Sequence, residues 1–258
     1  MLSETMFAPG TFVPSPGSVP VTRAIATLSW LEFKLFVRNG EQLAVNLVIP
    51  VSVLLSLILL PIGDLGPDRP GVIVPTVLAG AIISSAFTGL SIAVGFDRRY
   101  GALKRVGATI APRWAIIASK SIAVTGVAAA QLTILTAVAA AVGWAPTVEH
   151  LFGVGLAAIV GSMCFAAFGL LLGGSLRAEI ILPLANILWL FQLGLCALAA
   201  LPPATQGPLT DLVRLSPPGA LVLGLKTTHG AEWQLSLLVL MVWGAVAAWL
   251  ARKTFRFT

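Results

Sequence analysis

Long apolar runs alternate with short polar connections along almost the whole chain. Six of these runs are about 20 residues long or longer and carry hardly any charge, which is the length that a helix needs to cross a lipid bilayer. Because lipid offers no hydrogen-bond partner to the backbone, each run is predicted to be a helix that satisfies its own backbone groups. The six predicted spans are residues 43–62, 72–95, 114–143, 151–173, 179–201 and 233–251.

Glycine and proline cluster between the spans, at residues 61–71, 143–146 and 202–219. Both residue types interrupt helices, so the spans are expected to be joined by turns. The predicted fold class is therefore an all-α integral membrane protein whose six transmembrane helices occupy residues 43–258. The connection at residues 202–232 is too long for a turn and rich in leucine, which indicates an outer segment with short helices or simple surface packing.

The overall composition agrees with this pattern. Hydrophobic residues make up 57% of the chain, charged residues 10%, and the mean hydropathy is +0.96. Soluble proteins average roughly 25% charged residues, so a soluble enzyme or binding module is excluded. The net charge of +6 is not read as a nucleic-acid surface, since such a surface needs a soluble face.

The distribution of the basic residues predicts the orientation. If both termini are cytoplasmic, thirteen of the sixteen lysines and arginines lie on the cytoplasmic side. Cytoplasmic loops of membrane proteins retain positive charge, so this topology is favoured. We expect a multi-pass protein of the cell (plasma or inner) membrane with the lipid bilayer as a partner and no nucleic acid.

The first forty residues are distinct from the spans. Residues 1–20 lack the charged start and apolar centre of a signal peptide and are expected to form a flexible tail. Residues 21–42 are predicted to form an interfacial amphipathic helix, because helical spacing separates a polar stripe from an apolar one. An alternative is that this helix merely extends the first span inward. The stripes contain Arg23, Thr27, Lys34 and Arg38, and beside them Ala24, Leu28, Leu31 and Leu35, with Glu32 interrupting the apolar side.

The chain carries few groups suited to catalysis. It contains no Gly-Lys pair, so the P-loop that holds nucleotide phosphates is missing. Cys164 and Cys196 are spaced neither as a redox pair nor as a zinc site, and His150 and His229 are expected in outer loops. We therefore expect no catalytic residue, no metal site and no cofactor on this chain.

The middles of the spans are also nearly free of charge. Only two charged residues lie within the spans, Lys120 and Glu179, and both are near the inner ends of their spans. There, both side chains are expected to extend to the interface. A proton- or sodium-coupled carrier usually buries charges at membrane depth, so that mechanism is disfavoured. Six deeper side chains are candidates for lining a transport pathway, with hydrogen bonds between helices as the alternative for the amides. They are Asn46, Gln131, Asn186, Trp189, Gln192 and Trp243.

The loop after the second span, residues 96–113, starts the most basic stretch of the chain. Its segment DRRYGALKRVGAT at residues 97–109 resembles the corresponding loop of ABC-2 type permeases, the membrane subunits of ABC exporters such as daunorubicin-type drug efflux permeases. The family pattern of an acidic residue and arginine, Gly-x-Leu and threonine is present, although Ile110 stands where the family usually has proline. A second resemblance lies in LSPPGAL at residues 215–221, where a Ser-Pro pair precedes a short helix in the family's outer segment.

The resemblance implies a mechanism and partners. In such permeases this loop forms a coupling helix that rests in a groove of a cytoplasmic ATPase, which holds ATP and Mg, and two permease domains, identical or different, face each other. Positive-inside topology alone is the alternative explanation for the basic residues here. The residues expected at the ATPase contact are Asp97, Arg98, Arg99, Gly101, Leu103, Lys104 and Arg105.

The function expected from sequence is thus the permease subunit of an ATP-driven exporter that moves an amphipathic drug or lipid out of the cytoplasm. A polysaccharide exporter permease is one alternative. A membrane scaffold or assembly factor without transport is another.

Overall fold

The computed structural model describes residues 20–60, 68–107, 112–201 and 208–255. Helices joined by short turns make up these ranges, which contain no β-strand, so the all-α prediction is confirmed. The tail predicted at residues 1–20 lies outside the described residues except for Pro20, which precedes the first helix.

Eleven α-helices and one π-helical segment occur in the described ranges. They are α1 (Val21–Arg38), α2 (Gly40–Leu59), α3 (Arg69–Ile82), the π-helix (Ile83–Gly89), α4 (Leu90–Arg99), α5 (Ala102–Gly107), α6 (Arg113–Ala141), α7 (Val148–Ser175), α8 (Ala178–Ala200), α9 (Pro208–Arg214), α10 (Pro217–Thr227) and α11 (Gly230–Thr254). The π-helix joins α3 to α4 without a break, giving one continuous helix of 31 residues, Arg69–Arg99.

The predicted spans agree with these helices to within four residues at either end. Five helices of the described chain are long and apolar enough to cross a membrane, and they correspond to the second to sixth predicted spans. At the position of the first predicted span, α2 contributes a shorter apolar stretch, Asn46–Leu59. A proline at position 50 inside α2 is compatible with its helical structure.

The continuous helix Arg69–Arg99 forms the centre of the bundle. It packs against α2, α6, α7, α8 and α10, and 78% of its most apolar window is buried. Val74, Ile82 and Ile83 are completely enclosed. The spans α6, α7 and α8 therefore depend on this helix for part of their packing surface, whereas α11 packs against α7 and α10.

Close packing of α7 against this central helix requires glycine. A Cβ atom added at Gly169 would lie 2.8 Å from the carbonyl oxygen of Ala86, and one added at Gly173 would lie 2.6 Å from that of Ser91. The GxxxG spacing of these two residues thus marks a real close approach of helices, as small residues do in membrane bundles.

Arginines at the two ends of the central helix cap the ends of neighbouring helices. Arg69 donates to the carbonyl oxygens of Leu57 and Leu60 at the end of α2, at 3.0 and 2.6 Å. Arg98 donates to those of Gly173 and Leu176 at the end of α7, at 3.0 and 2.9 Å. The last carbonyls of a helix have no partner within it and carry partial negative charge, so guanidinium groups stabilise both ends.

The helix α1 is separate from α2. The backbone leaves the helical region at Asn39, with φ −84° and ψ 85°, and α1 packs mainly along α6. Trp30 and Leu35 on its other faces are exposed. The alternative of a simple inward extension of the first span does not fit this break, and the placement of α1 in a membrane interface stays a prediction.

The outer segment at residues 202–232 contains two short helices, α9 and α10, with residues 202–207 outside the described part. Ser216 caps α10 by accepting from the backbone N–H of Gly219 at 3.3 Å, so the Ser-Pro pair does precede a short helix. Leu221 and Leu225 are fully buried, and α10 packs against α3, α7, α8 and α11. This helix is part of the bundle and not a surface loop.

We predict that Gly173→Ala destabilises the subunit, because the new methyl group overlaps the Ser91 carbonyl and forces α4 and α7 apart. Overpacking of this kind costs about 1–3 kcal/mol. Unfolding in mixed micelles measures the change. Gly155→Ala is the matched control on the same helix, since a Cβ there meets no atom within 4 Å. Equal stability of the two variants would contradict the close approach.

Candidate functional site

The residues expected at the ATPase contact fall into two groups. Asp97, Arg98 and Arg99 form the last turn of α4, and Gly101, Leu103, Lys104 and Arg105 lie in the connection between α4 and α6. Gly101 has φ +70°, a conformation that favours glycine, and it turns the chain from α4 into the six-residue helix α5. Within α5, Leu103 is buried at 2% exposure, whereas Lys104 and Arg105 are exposed. The short helix is thus anchored by an apolar residue and presents two cations outward.

A buried ion cluster, formed by Glu32, Asp97 and Lys120, lies beside this loop. The Lys120 Nζ is 2.6 Å from the Glu32 Oε1 and 2.7 Å from the Asp97 Oδ2. Lys120 is only 5% exposed, and the two carboxylates are each about one third exposed. The cluster ties α1, α4 and α6 together and carries a net charge of −1.

The expectation that Lys120 extends to the interface is wrong. Its ammonium group stays inside the protein because two carboxylates replace the water that it would otherwise need. Glu32 is the residue that interrupts the apolar side of α1 in sequence, and its carboxylate is directed at this lysine. The sequence offered two signals for this cluster, the acidic Glu32 on an apolar helix face and the single lysine, Lys120, in a span. Only the tertiary structure shows that these two residues are partners.

Arg98 and Arg99, which follow Asp97 in the last turn of α4, bind other helices. Arg98 caps the end of α7 as described above, and the Arg99 guanidinium is 3.0 Å from the Glu179 carboxylate at the start of α8. The pair between Arg99 and Glu179 is half exposed, so it contributes at most about 1 kcal/mol. Glu179 therefore pairs with the loop, as well as being near the surface as expected.

Three consecutive residues, Asp97 to Arg99, thus contact four helices besides their own. Asp97 reaches α6 and, through Lys120, α1; Arg98 reaches α7 and Arg99 reaches α8. These charges are occupied by contacts inside the subunit. Lys104 and the exposed face of α5 are the parts of the loop that point away from it, although Arg105 also donates to the Tyr100 carbonyl at 3.2 Å.

A cavity of about 250 Å³ opens next to the ion cluster. Glu32, Asp97 and Lys120 line it together with the polar Asn39 and Ser85. The remaining lining residues belong to α1, the π-helix, α4 and α6 and are mainly apolar, so the ion cluster borders a cavity enclosed by these four helical segments.

The six candidate pathway residues do not converge on one place. The Gln131 Nε2 donates to the backbone carbonyl of Asn46, and the Gln131 Oε1 accepts from Ser85, so this amide joins α2, α6 and the π-helix. The Asn186 amide bonds to its own helix, at the Leu182 carbonyl. Gln131 therefore makes the hydrogen bonds between helices that were named as the alternative, whereas the bond of Asn186 lies within α8.

The other three candidates lie on α8 and α11. The Trp189 indole N–H is 3.4 Å from the Gly80 carbonyl, and that of Trp243 is 3.1 Å from the Leu215 carbonyl. The Gln192 Oε1 is buried without a hydrogen-bond partner in the described part of the chain. Their role in a pathway stays a prediction.

Nothing in the described residues gathers into a catalytic or metal-binding group. Cys164 and Cys196 are free and buried. No set of three or more His, Cys, Asp or Glu side chains in the described ranges could hold a metal ion. His150 contacts the Thr228 hydroxyl at 3.1 Å and the Trp144 ring, which lie near the end of α10 and the start of α7.

The fold and loop together define a multi-pass α-helical membrane protein with a charged loop bound to several of its spans. The chain matches the family model described as ABC-2 type transporter over residues 23–217, about three quarters of its length. It therefore belongs to the ABC-2 type transporter family, as a permease subunit. No curated protein matches the chain.

We predict that Lys120→Met lowers the free energy of unfolding in detergent by about 1–3 kcal/mol. Removing one member of a fully buried pair costs about 3–5 kcal/mol, and the partial exposure of both carboxylates reduces this figure. The same substitution in a Glu32→Gln/Asp97→Asn background should cost much less, because no charge is then left uncompensated. Lys104→Met, at an exposed lysine, serves as the control. An equal cost in both backgrounds would rule out the ion cluster as the cause.

Proposed function

We propose that this permease subunit belongs to an exporter driven by a separate cytoplasmic ATPase, and that the exporter moves an amphipathic drug or lipid out of the cytoplasm. ATP and Mg are then bound by the partner and not by this chain. The proposal draws on the family membership and on the form of the loop at residues 96–113.

The observation that carries the proposal is the attachment of the last turn of α4, which directly precedes Gly101 and α5, to four other helices. A displacement of α5 by an ATPase is passed to α6 and α1 through Asp97, to α7 through Arg98 and to α8 through Arg99. Interfaces and packed cores have discrete arrangements, so a small shift at such a point is converted into a rearrangement of helices. These contacts would link a movement of α5 to movements of the four helices.

Two parts of the loop have different roles in this proposal. Lys104 and Arg105 contact the ATPase, because they point away from the subunit and charged groups fix register and partner choice at an interface. Asp97, Arg98 and Arg99 transmit the motion inside the permease. Gly101 provides the turn between the two parts, and Leu103 anchors α5 to the bundle.

A second permease subunit, identical or different, completes the exporter in this proposal. Only 17% of the most apolar window of α8 is buried, and this helix exposes Ile187, Leu190 and Phe191. A facing subunit would cover this apolar surface.

The amphipathic cargo is favoured over a polysaccharide because the spans present mainly apolar side chains.

The alternative of a scaffold without transport is tested by deleting residues 97–113. An exporter would lose ATPase association and efflux together, whereas a scaffold would show no such linked loss.

We predict that Lys104→Glu/Arg105→Glu weakens association with the ATPase more than tenfold and abolishes export. Like charges placed across an interface cost several kcal/mol. Candidate ATPases encoded in neighbouring reading frames would be co-expressed, with pull-down and vesicle transport as the measurements. The stability of the permease alone should not change, since both side chains are exposed.

The matched control is Arg23→Glu/Lys34→Glu, which reverses two exposed cations on α1, on the same predicted side. This variant should keep ATPase association and export. Full export by the α5 variant would contradict the proposed contact, and transport by the permease alone, driven by a proton gradient, would contradict the ATPase partnership.

For the orientation, we predict that α5 is cytoplasmic and the turn before α11 is extracytoplasmic. Cys164 and Cys196 are buried, so cysteines introduced at exposed positions can be labelled selectively. His229→Cys should react with a membrane-impermeant maleimide in intact cells, and Lys104→Cys only after permeabilisation. The reverse pattern would invert the topology.

A further inference from the structure

A groove on the outside of the bundle runs between α6, α7 and α11. Its volume is about 570 Å³, within the roughly 300–1,000 Å³ of ligand sites. Ala118 of α6 and Ala248 of α11 form parts of its walls, and the exposed Met163 lies along it. At its floor α7 and α11 are close together, since a Cβ at Gly244 would lie 3.2 Å from the Cα of Cys164.

The groove has one polar end. Trp114, at the start of α6, and Arg252, in the last turn of α11, lie at the end nearest to the loop between α4 and α6. The Ser121 hydroxyl, also in the lining, donates to its own helix at the Ile117 carbonyl. Among the described lining residues, Arg252 is the one charged group, and no carboxylate faces it.

The length of the groove corresponds to one leaflet of a bilayer. From Leu240 to Arg252, α11 covers about 18 Å at 1.5 Å per residue. Half of a hydrocarbon core is about 15 Å thick, so an acyl chain from one leaflet fits with its headgroup at the level of Arg252. Tryptophan at the same level is typical of the membrane interface.

We infer that this groove binds an anionic phospholipid, with one acyl chain between α6 and α11 and the phosphate on the guanidinium of Arg252. Arginine binds phosphate oxygens through paired N–H groups, and cytoplasmic leaflets are rich in anionic lipids. The leaflet assignment rests on the proposed topology, but the site itself does not depend on transport.

A second copy of this chain is a poorer occupant of the groove. It would have to bring a carboxylate to Arg252, and the carboxylates described at this end of the bundle are already paired. Glu32 and Asp97 bind Lys120, and Glu179 binds Arg99. A phospholipid supplies the negative charge and the apolar chain in one molecule.

Native mass spectrometry of the full chain in neutral detergent tests the site, with palmitoyl-oleoyl phosphatidylglycerol and phosphatidylcholine as probes. We expect one phosphatidylglycerol to be retained with about fivefold preference, since one basic residue near an anionic surface contributes about that factor. Arg252→Gln should remove the preference. Lys253→Gln should keep it, because that ammonium lies 3.7 Å above the Trp249 ring instead.

A second pair of variants tests the acyl-chain position. Ala248→Phe fills the groove and should reduce retention of both lipids, whereas Val246→Phe, on the exposed surface of α11 outside the groove, should not. The headgroup position is overturned if Arg252→Gln leaves the preference intact or if Lys253→Gln removes it equally. The acyl-chain position is overturned if Ala248→Phe retains lipid like the unmodified chain. Dimerisation of the chain through this face with exclusion of lipid would overturn the inference as a whole. Export activity enters none of these readings.

Discussion

The cost of burying charge in a membrane protein is the constraint on which the arrangement of the bundle around Lys120 depends. Removing a single ion from water costs several kcal/mol, which is repaid only by close counter-charges and hydrogen bonds. Lys120 meets this requirement with two carboxylates drawn from separate helices, so α1, α4 and α6 cannot move apart without exposing or orphaning a charge. Apolar contacts between lipid-facing helices have no such directional requirement, because lipid is as apolar as their side chains. Specific positions in this part of the bundle are therefore fixed by polar groups.

The same logic operates along the whole central helix. Arg69 and Arg98 donate to the terminal backbone carbonyls of α2 and α7, so a side chain at each end of the central helix is bound to the backbone of a neighbouring helix. Between these ends, Gly169 and Gly173 of α7 lack side chains, which allows the backbone of α7 to approach that of the central helix closely. The central helix is thus bound by polar contacts at its two ends and closely packed in its middle.

Much of this fold could be predicted from sequence because hydrophobic length is a strong local signal. The spans and the family resemblance needed only neighbouring residues. The π-helix at Ile83–Gly89 was missed, since a wider turn has no distinct hydrophobic period. Lys120 was misjudged for a different reason: its partners Glu32 and Asp97 are 88 and 23 residues away, and an isolated lysine near a span end is also what an interfacial lysine looks like. Gln131, read as a pathway candidate, likewise depends on a partner 85 residues away.

These distinctions change how the basic loop is understood. Positive-inside topology explains why cations accumulate on this side, but it places no requirement on where each guanidinium points. Arg98 and Arg99 are directed at specific acceptors on α7 and α8, whereas Lys104 is directed outward. Within residues 97–105 the bound charges belong to the last turn of α4, and the outward charges belong to α5. Topology therefore accounts for the number of cations at this end, whereas packing against α7 and α8 accounts for which of them are bound, because within these described residues only Arg98 and Arg99 lie within reach of acceptors on those helices.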